Sequence, residues 1–296
     1  MFRSGFIGIV GRPNVGKSTL FNAILGDKIS IITPKPQTTR NRITGIKNYP
    51  DAQLIFLDTP GIHQPKTPLN RAMVQTARET IGSVDVLLML IEANAGAHPQ
   101  DLFLIESLGQ IKVPVILAMN KIDVMEKKFL LPLMDQFRKL YEYQEIFPIS
   151  ALTGYGVDEL LSAVKDMLPE GPKYYPDDIQ TDATERFIAA EFIREKITLH
   201  TKQEIPYSTA VEIDSFTEDE AKNVIHIRAT INVERDSQKA IVIGRKGAML
   251  KTIGTEARKD MENLFGAKVF LELFVRVRKE WTTSDKMLRE FGILKR

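Results

Sequence analysis

From residue 5 to 168, short apolar runs alternate with stretches of helical period. The runs "GFIGIV", "QLIFLD", "VDVLLMLI", "VPVILAMN" and "EIFPIS" are almost continuously apolar and bounded by turn-forming residues. Such runs fit strands covered on both faces, the pattern of a parallel sheet with helices on either side. One pair departs from it: "RITGIKN" and "AQLIFLD" are separated only by "YPD". That is too short for a crossover, so an antiparallel hairpin is expected there. Residues 1–170 therefore read as an α/β domain with a mostly parallel sheet and one hairpin.

Residues 171–182, "GPKYYPDDIQTD", concentrate proline and acidic residues without periodicity, as a linker does. Residues 183–296 then follow a different order. "ATERFIAAEFIREKITLHT" has helical spacing, with Phe187, Ala190, Phe192, Ile193 and Ile197 as its core-facing stripe; "YSTAVEIDSF" and "VIHIRATINV" alternate as strands. "SQKAIVI", a Gly244–Gly247 loop and "AMLKTIGTEARKDMENLFG" read as helix, turn, helix, and "KVFLELFVRVRK" as a last strand. The sequence α, β, β, α, α, β predicts a smaller α+β domain.

Composition narrows the chemistry. Hydrophobic residues at 43% and charged residues at 26% are globular values, which argue against disorder. No apolar run approaches the length of a membrane span, and the first residues lead straight into a strand, so a cytoplasmic protein is expected. With no cysteine, and four histidines lacking metal-ligand spacing, thiol chemistry and Cys/His zinc are excluded. The net charge of +2 conceals a split: residues 171–220 hold 5 Lys/Arg against 12 Asp/Glu, and residues 221–296 hold 17 against 9. A basic C-terminal part suits a polyanionic partner.

Five short stretches assemble into a nucleotide site. "GRPNVGKST" follows a strand and opens a helix, the context a phosphate-binding loop requires. Gly11 and Gly16 let the loop wrap, Asn14 and Val15 lie between them, Lys17 brings charge to the β- and γ-phosphates, and the Ser18 hydroxyl, beside Thr19, suits Mg²⁺. "DTPG" puts Asp58 in reach of Mg²⁺ through water and Gly61 N–H near a γ-phosphate. "NKID" supplies Asn120, Lys121 and Asp123. One carboxylate accepts from both guanine N1–H and N2–H₂; two charge-assisted bonds of about 1.5–3 kcal/mol each favour GTP over ATP by roughly 10²–10⁴. Lys121 can lay its stem on the base, and Ser150-Ala151 offers a backbone N–H for guanine O6 and a hydroxyl to brace Asp123. In "TPKPQTTRNR", Thr38 or Thr39 completes Mg²⁺ coordination; this segment and "GIHQPKTPLN" are candidate switches.

The chain resembles the translation-factor class of GTPases, and within it the Era family. The resemblance implies Thr39 as the second Mg²⁺ ligand beside Ser18, with Lys17, Thr39 and Gly61 carrying hydrolysis. Ras-like GTPases orient water with a glutamine after the D-x-x-G glycine; here that position is Ile62. Slow turnover and water placed by backbone groups are expected. Asn14 is similar to the loop asparagine that holds K⁺ in related GTPases.

The second domain is similar to a type II KH domain, whose I-G-x-x-G pattern is met by Ile243, Gly244, Arg245, Lys246 and Gly247. Two glycines let a nucleic-acid backbone approach, two cations meet its phosphates, and Ile241 and Ile243 are expected to line a groove for unstacked bases. Taken alone, G-x-x-G is a helix-capping turn as readily as a clamp. Its place between two helices, the basic balance and the attached GTPase domain shift the weight. The resemblance spans nearly the whole chain and implies binding near the 3′ end of small-subunit ribosomal RNA and a role in small-subunit assembly, as a monomer. The alternative is a GTP-gated interaction protein at the inner membrane face or in cell-cycle control; an RNA-modifying enzyme ranks last. Trp281 and the basic tail "DKMLREFGILKR" are expected to pack on their own domain, with membrane or RNA contact as the rival.

Overall fold

The computed structural model describes residues 1–65 and 67–294. Lys66, in the second candidate switch, and Lys295 and Arg296, at the end of the basic tail, lie outside the described residues. The chain divides into two compact units: residues 1–30, 39–65 and 73–182, and residues 31–38, 67–72 and 183–294.

In the first unit β1 (Arg3–Val10) feeds α1 (Lys17–Leu25), and β2 (Ile43–Asn48) and β3 (Ala52–Asp58) form the hairpin. Then come α2 (Pro68–Ile81), β4 (Val86–Glu92), α3 (Pro99–Ser107), β5 (Val115–Asn120), α4 (Leu130–Arg138), β6 (Glu145–Pro148) and α5 (Val157–Met167). The sheet order is β2-β3-β1-β4-β5-β6, and every pair is parallel except β2 with β3. The apolar runs that predicted strands are β1, β3, β4, β5 and β6. Every residue of β3 and β5 is buried, as expected of strands covered on both faces. Register pairs Ile9 with Asp58, Val10 with Met89, and Glu92 with Asn120. The C-terminal ends of β1, β3, β4 and β5 therefore open at one edge, where open α/β sheets bind ligands.

The second unit contains α6 (Glu185–His200), β7 (Ala210–Asp219), β8 (Val224–Val233), α7 (Asp236–Ile243), α8 (Ala248–Phe265), β9 (Lys268–Val277) and a short α9 (Asp285–Glu290). This is the expected α, β, β, α, α, β order with one added turn of helix. β8 is central, antiparallel to β7 and parallel to β9.

Helix α6 starts at Thr184, whose hydroxyl accepts from Phe187 N–H at 3.2 Å. Its apolar core residues are Ile188, Ala189, Phe192, Ile193 and Ile197; Phe187 and Ala190, placed in the stripe by spacing, are only half-buried. The polar positions Glu191, Arg194, Glu195 and Lys196 are buried as well. They pair locally: Arg194 with Glu191, and Lys196 with Glu195 at 2.8 Å and Asp260 at 2.5 Å. Residues 31–38 explain why a helix with charges on it is covered nearly all round. Ile32 N–H donates to Glu195 Oε1 at 2.9 Å and the Arg194 guanidinium to the Thr38 carbonyl at 2.6 Å. Burying charges is costly unless they are paired and hydrogen-bonded, and these are.

Trp281 is fully buried, donates its indole N–H to the Ser208 carbonyl at 2.9 Å, and meets Phe291 edge-on at 5.2 Å. The described part of the tail thus packs on its own unit. Among the described residues, no helix is long and apolar enough to cross a membrane.

Candidate nucleotide site and nucleic-acid groove

The loop between β1 and α1 ends on Gly16, and no side chain caps the helix that follows. Unsatisfied N–H groups at a helix N-terminus are a ready anion site. Gly16 has φ +101°, and a Cβ there would stand 2.2 Å from Asn120 Nδ2. The loop fits only because this residue is glycine. Asn120 is buried and braces two loops: its Nδ2 donates to the Val15 carbonyl at 2.8 Å, and its Oδ1 accepts from Ala151 N–H at 2.9 Å. Asn120 thus ties the base motif to the phosphate loop. Gly11 is joined to the stretch after β3, for Ile62 N–H donates to the Gly11 carbonyl at 3.2 Å.

Lys17 is buried, and its ammonium donates to the carbonyls of Gly11 and Arg12, each at 3.1 Å. Burial lowers its pKa to about 8, with the Asp58 carboxylate pulling upward. Asp58 is fully buried, and burial raises its carboxyl above the usual range. Its Oδ2 accepts from Ser18 Oγ and Ser30 Oγ, both at 2.8 Å, and Ser18 Oγ lies 3.0 Å from Thr39 Oγ1. Asp58 Oδ1 is buried with no hydrogen-bond partner among the described residues. Two hydroxyls beside a carboxylate with an unused oxygen form an oxygen donor set that suits a hard divalent cation such as Mg²⁺. The structure also distinguishes the two threonines. Thr38 Oγ1 is turned to Thr33 Oγ1 at 2.7 Å and the Lys35 carbonyl at 2.8 Å, leaving Thr39 at the cluster.

Asn14 and Asp123 are exposed, Thr19 is half-buried and Lys121 takes a left-handed φ of 66°. One expectation needs correction: the Ala151 N–H, assigned to a base oxygen, is taken by Asn120 Oδ1. Ser150 Oγ accepts from Thr153 N–H at 3.2 Å, which uses a lone pair and not the hydroxyl proton. Ile62 is buried, so its side chain joins the core and does not face a water; His63 Nδ1 hydrogen-bonds the Gly61 carbonyl at 2.9 Å.

In the second unit the Gly244–Gly247 loop lies between α7 and α8. Both glycines have positive φ, but they differ: a Cβ on Gly244 would meet Met249 Cβ at 2.7 Å, while one on Gly247 would meet nothing within 4 Å. Gly244 is needed for packing, and Gly247 faces open space. Arg245 and Lys246 are exposed at the tip. Beside the loop runs a groove of ≈ 400 Å³ between α8 and the edge strand β9, lined by Gly247, Leu250, Lys251, Gly254, Arg258 and Phe270 among others. Ile241 and Ile243 do not line it, contrary to expectation. They precede the loop on α7, where Val242 takes the buried position and Ile241 is half exposed. The residues missed had a signal: Lys251, Gly254 and Arg258 recur at helical spacing from Gly247 along one face of α8.

Comparison with known proteins places both domains in described families. Residues 6–121 match the family described as "50S ribosome-binding GTPase", and residues 204–282 match "KH domain". The GTPase Era of Syntrophus aciditrophicus is 62% identical over 292 residues, covering 99% of this chain and 95% of that protein. That of Geobacter metallireducens is 56% identical, covering 98% of each. A crystal structure of Era in complex with MgGDPNP and nucleotides 1506–1542 of 16S ribosomal RNA superposes with a TM-score of 0.96. It is 43% identical and covers 99% of this chain and 100% of its own. An Era variant from Aquifex aeolicus bound to GDP.AlF4⁻ gives the same values.

Proposed function

The chain belongs to the Era family of GTPases, and from that membership we propose a cycle in which the nucleotide state governs binding to small-subunit ribosomal RNA near its 3′ end. The work is done in the cytoplasm, by a monomer, during small-subunit assembly. The observation that carries this reading is the likeness over 99% of the chain to an Era holding MgGDPNP and 16S ribosomal RNA nucleotides 1506–1542 at once.

The residues fit the nucleotide half as follows. Asp123 selects guanine, Asn120 ties the base motif to the phosphate loop, and Lys121 covers the base. On arrival of GTP, Lys17 exchanges the carbonyls of Gly11 and Arg12 for phosphate oxygens. Ser18 and Thr39 would hold Mg²⁺, with Asp58 as the outer partner through water, and an ion bound there would neutralise charge on the β- and γ-phosphoryl oxygens. Since Ile62 offers no polar group, backbone around Thr39 and Gly61 places the attacking water. Asn14 is the residue for a K⁺ ion beside the phosphates.

The Thr38 carbonyl is held by Arg194 of α6, and the next residue is Thr39. Nucleotide-driven movement of Thr39 therefore pulls on a segment packed against α6. For the RNA half, Arg245 and Lys246 hold the backbone and the α8–β9 groove takes unpaired bases. The test is crosslinking of the full chain to total cellular RNA with GDPNP or GDP. Enrichment of the small-subunit 3′ end is expected, and crosslinks spread evenly over all RNA would contradict it.

A further inference from the structure

Strand β4 lies between β1 and β5 in the sheet. It therefore separates the strand that carries the phosphate loop from the strand that carries the base motif. Its last residue, Glu92, stands beside Asn120 in the ladder. One oxygen of that carboxylate, Oε2, accepts from Arg12 Nη2 at 3.0 Å; the other, Oε1, pairs with Lys121 Nζ at 3.1 Å. Arg12 also donates from Nε to Asp101 Oδ2 at 3.3 Å.

The row Asp101, Arg12, Glu92, Lys121 alternates in charge and sums to zero. Three of its members are well removed from solvent, unlike exposed pairs that contribute little: the Asp101 side chain is 0% exposed, Arg12 11% and Glu92 20%, with Lys121 at 34%. Arg12 sits inside the phosphate loop and its own carbonyl accepts from Lys17. Lys121 is the residue whose stem is placed to cover the base. Both halves of the nucleotide site thus converge on one carboxylate.

We propose that Glu92 is a positioning residue for the GTPase reaction, fixing the spacing between the phosphate loop and the guanine motif by holding Arg12 and Lys121 with its two oxygens. It touches neither base nor phosphate. The effect is to hold the site at the length of a guanine nucleotide before one arrives, which lowers the ordering cost of binding. The inference rests on the guanine-site reading above.

The experiment uses the full chain with Glu92→Gln, which keeps the shape and removes the charge, and Glu92→Asp, which keeps the charge and cannot span both partners. Either is expected to raise KM for GTP about tenfold and leave kcat within twofold. A merely structural defect would reduce the folded fraction, lowering apparent kcat with KM unchanged, and would overturn the proposal. A second measurement reads the coupling itself through GDP affinity. Arg12→Gln and Lys121→Met, the latter keeping its stem, are expected to lose less together than the product of their separate losses, by about fivefold, when Glu92 is present. In the Glu92→Gln background the losses should multiply. Losses that multiply in both backgrounds overturn the proposal. A wild-type chain that binds ADP as tightly as GDP would instead overturn the guanine site, and this inference with it.

Discussion

Asn120 Nδ2 occupies the space where a Cβ on Gly16 would sit, 2.2 Å away. The phosphate loop and the base motif are therefore shaped to each other before any nucleotide binds. A methyl group at residue 16 must displace the Asn120 amide and break its bond to Val15, besides straining a backbone at φ +101°. Gly16→Ala is expected to weaken GDP binding by about 30- to 100-fold, since positive-φ strain costs roughly 1–2 kcal/mol and loss of the Asn120–Val15 bond about 1 kcal/mol more. Titration with a fluorescent GDP analogue checks it; unchanged affinity would mean the loop is not held as described.

The oxygen cluster at Ser18, Thr39 and Asp58 predicts the effect of metal removal. Chelation of Mg²⁺ is expected to abolish GTP turnover and to speed GDP release. Ser18→Ala should cut Mg²⁺ affinity by about one to two orders of magnitude, as loss of a metal-site partner commonly does. Turnover that persists in excess chelator would contradict the assignment of these hydroxyls.

The two glycines of the second loop predict different failures. Gly244→Asp drives a Cβ into Met249, so it should lower both melting temperature and RNA affinity. Gly247→Asp meets open space, so it should cost folding only the roughly 1–2 kcal/mol of strain at φ +78°, less than the clash at Gly244, and reduce RNA affinity by placing a carboxylate where phosphate passes. Melting curves and filter binding on both variants separate packing from recognition. Equal RNA affinity for Gly247→Asp and wild type would remove the loop from the interface.

Trp281 predicts a stability effect without a binding one. Trp281→Phe leaves the Ser208 carbonyl without its donor and opens space beside Phe291. A loss of about 2–4 kcal/mol from the second unit is expected in urea unfolding, from an unsatisfied buried carbonyl plus lost packing. A change in RNA affinity at temperatures where the variant is folded would point to a direct role in binding.

The strands and the nucleotide motifs were legible because both depend on local pattern. "VPVILAMN" is buried along all of β5, and "GRPNVGKST" can form its loop only after a strand and before a helix. What could not be read depends on contacts distant in sequence. The charges at Glu191, Arg194, Glu195 and Lys196 look like a solvated helix face until residues 31–38 bond Arg194 and Glu195, and Asp260 of α8 pairs with Lys196. Ala151 has a spare N–H only if Asn120, 31 positions earlier, leaves it one. Ile241 and Ile243 lie just before the G-x-x-G loop in sequence, yet the groove opens on the far side, between α8 and β9. Sequence proximity located the loop and misled on its neighbours.

The central claim, that one chain couples a guanine-nucleotide site to an RNA groove, is tested most directly by its affinity for the 3′-terminal segment of small-subunit ribosomal RNA. The measurement is made at fixed salt with saturating GDPNP and again with GDP. The account predicts dissociation constants that differ by about fivefold or more between the two states, the lower bound of ordinary allosteric coupling. Equal constants in the two states, or no preference for that RNA over a scrambled segment in either, would contradict it.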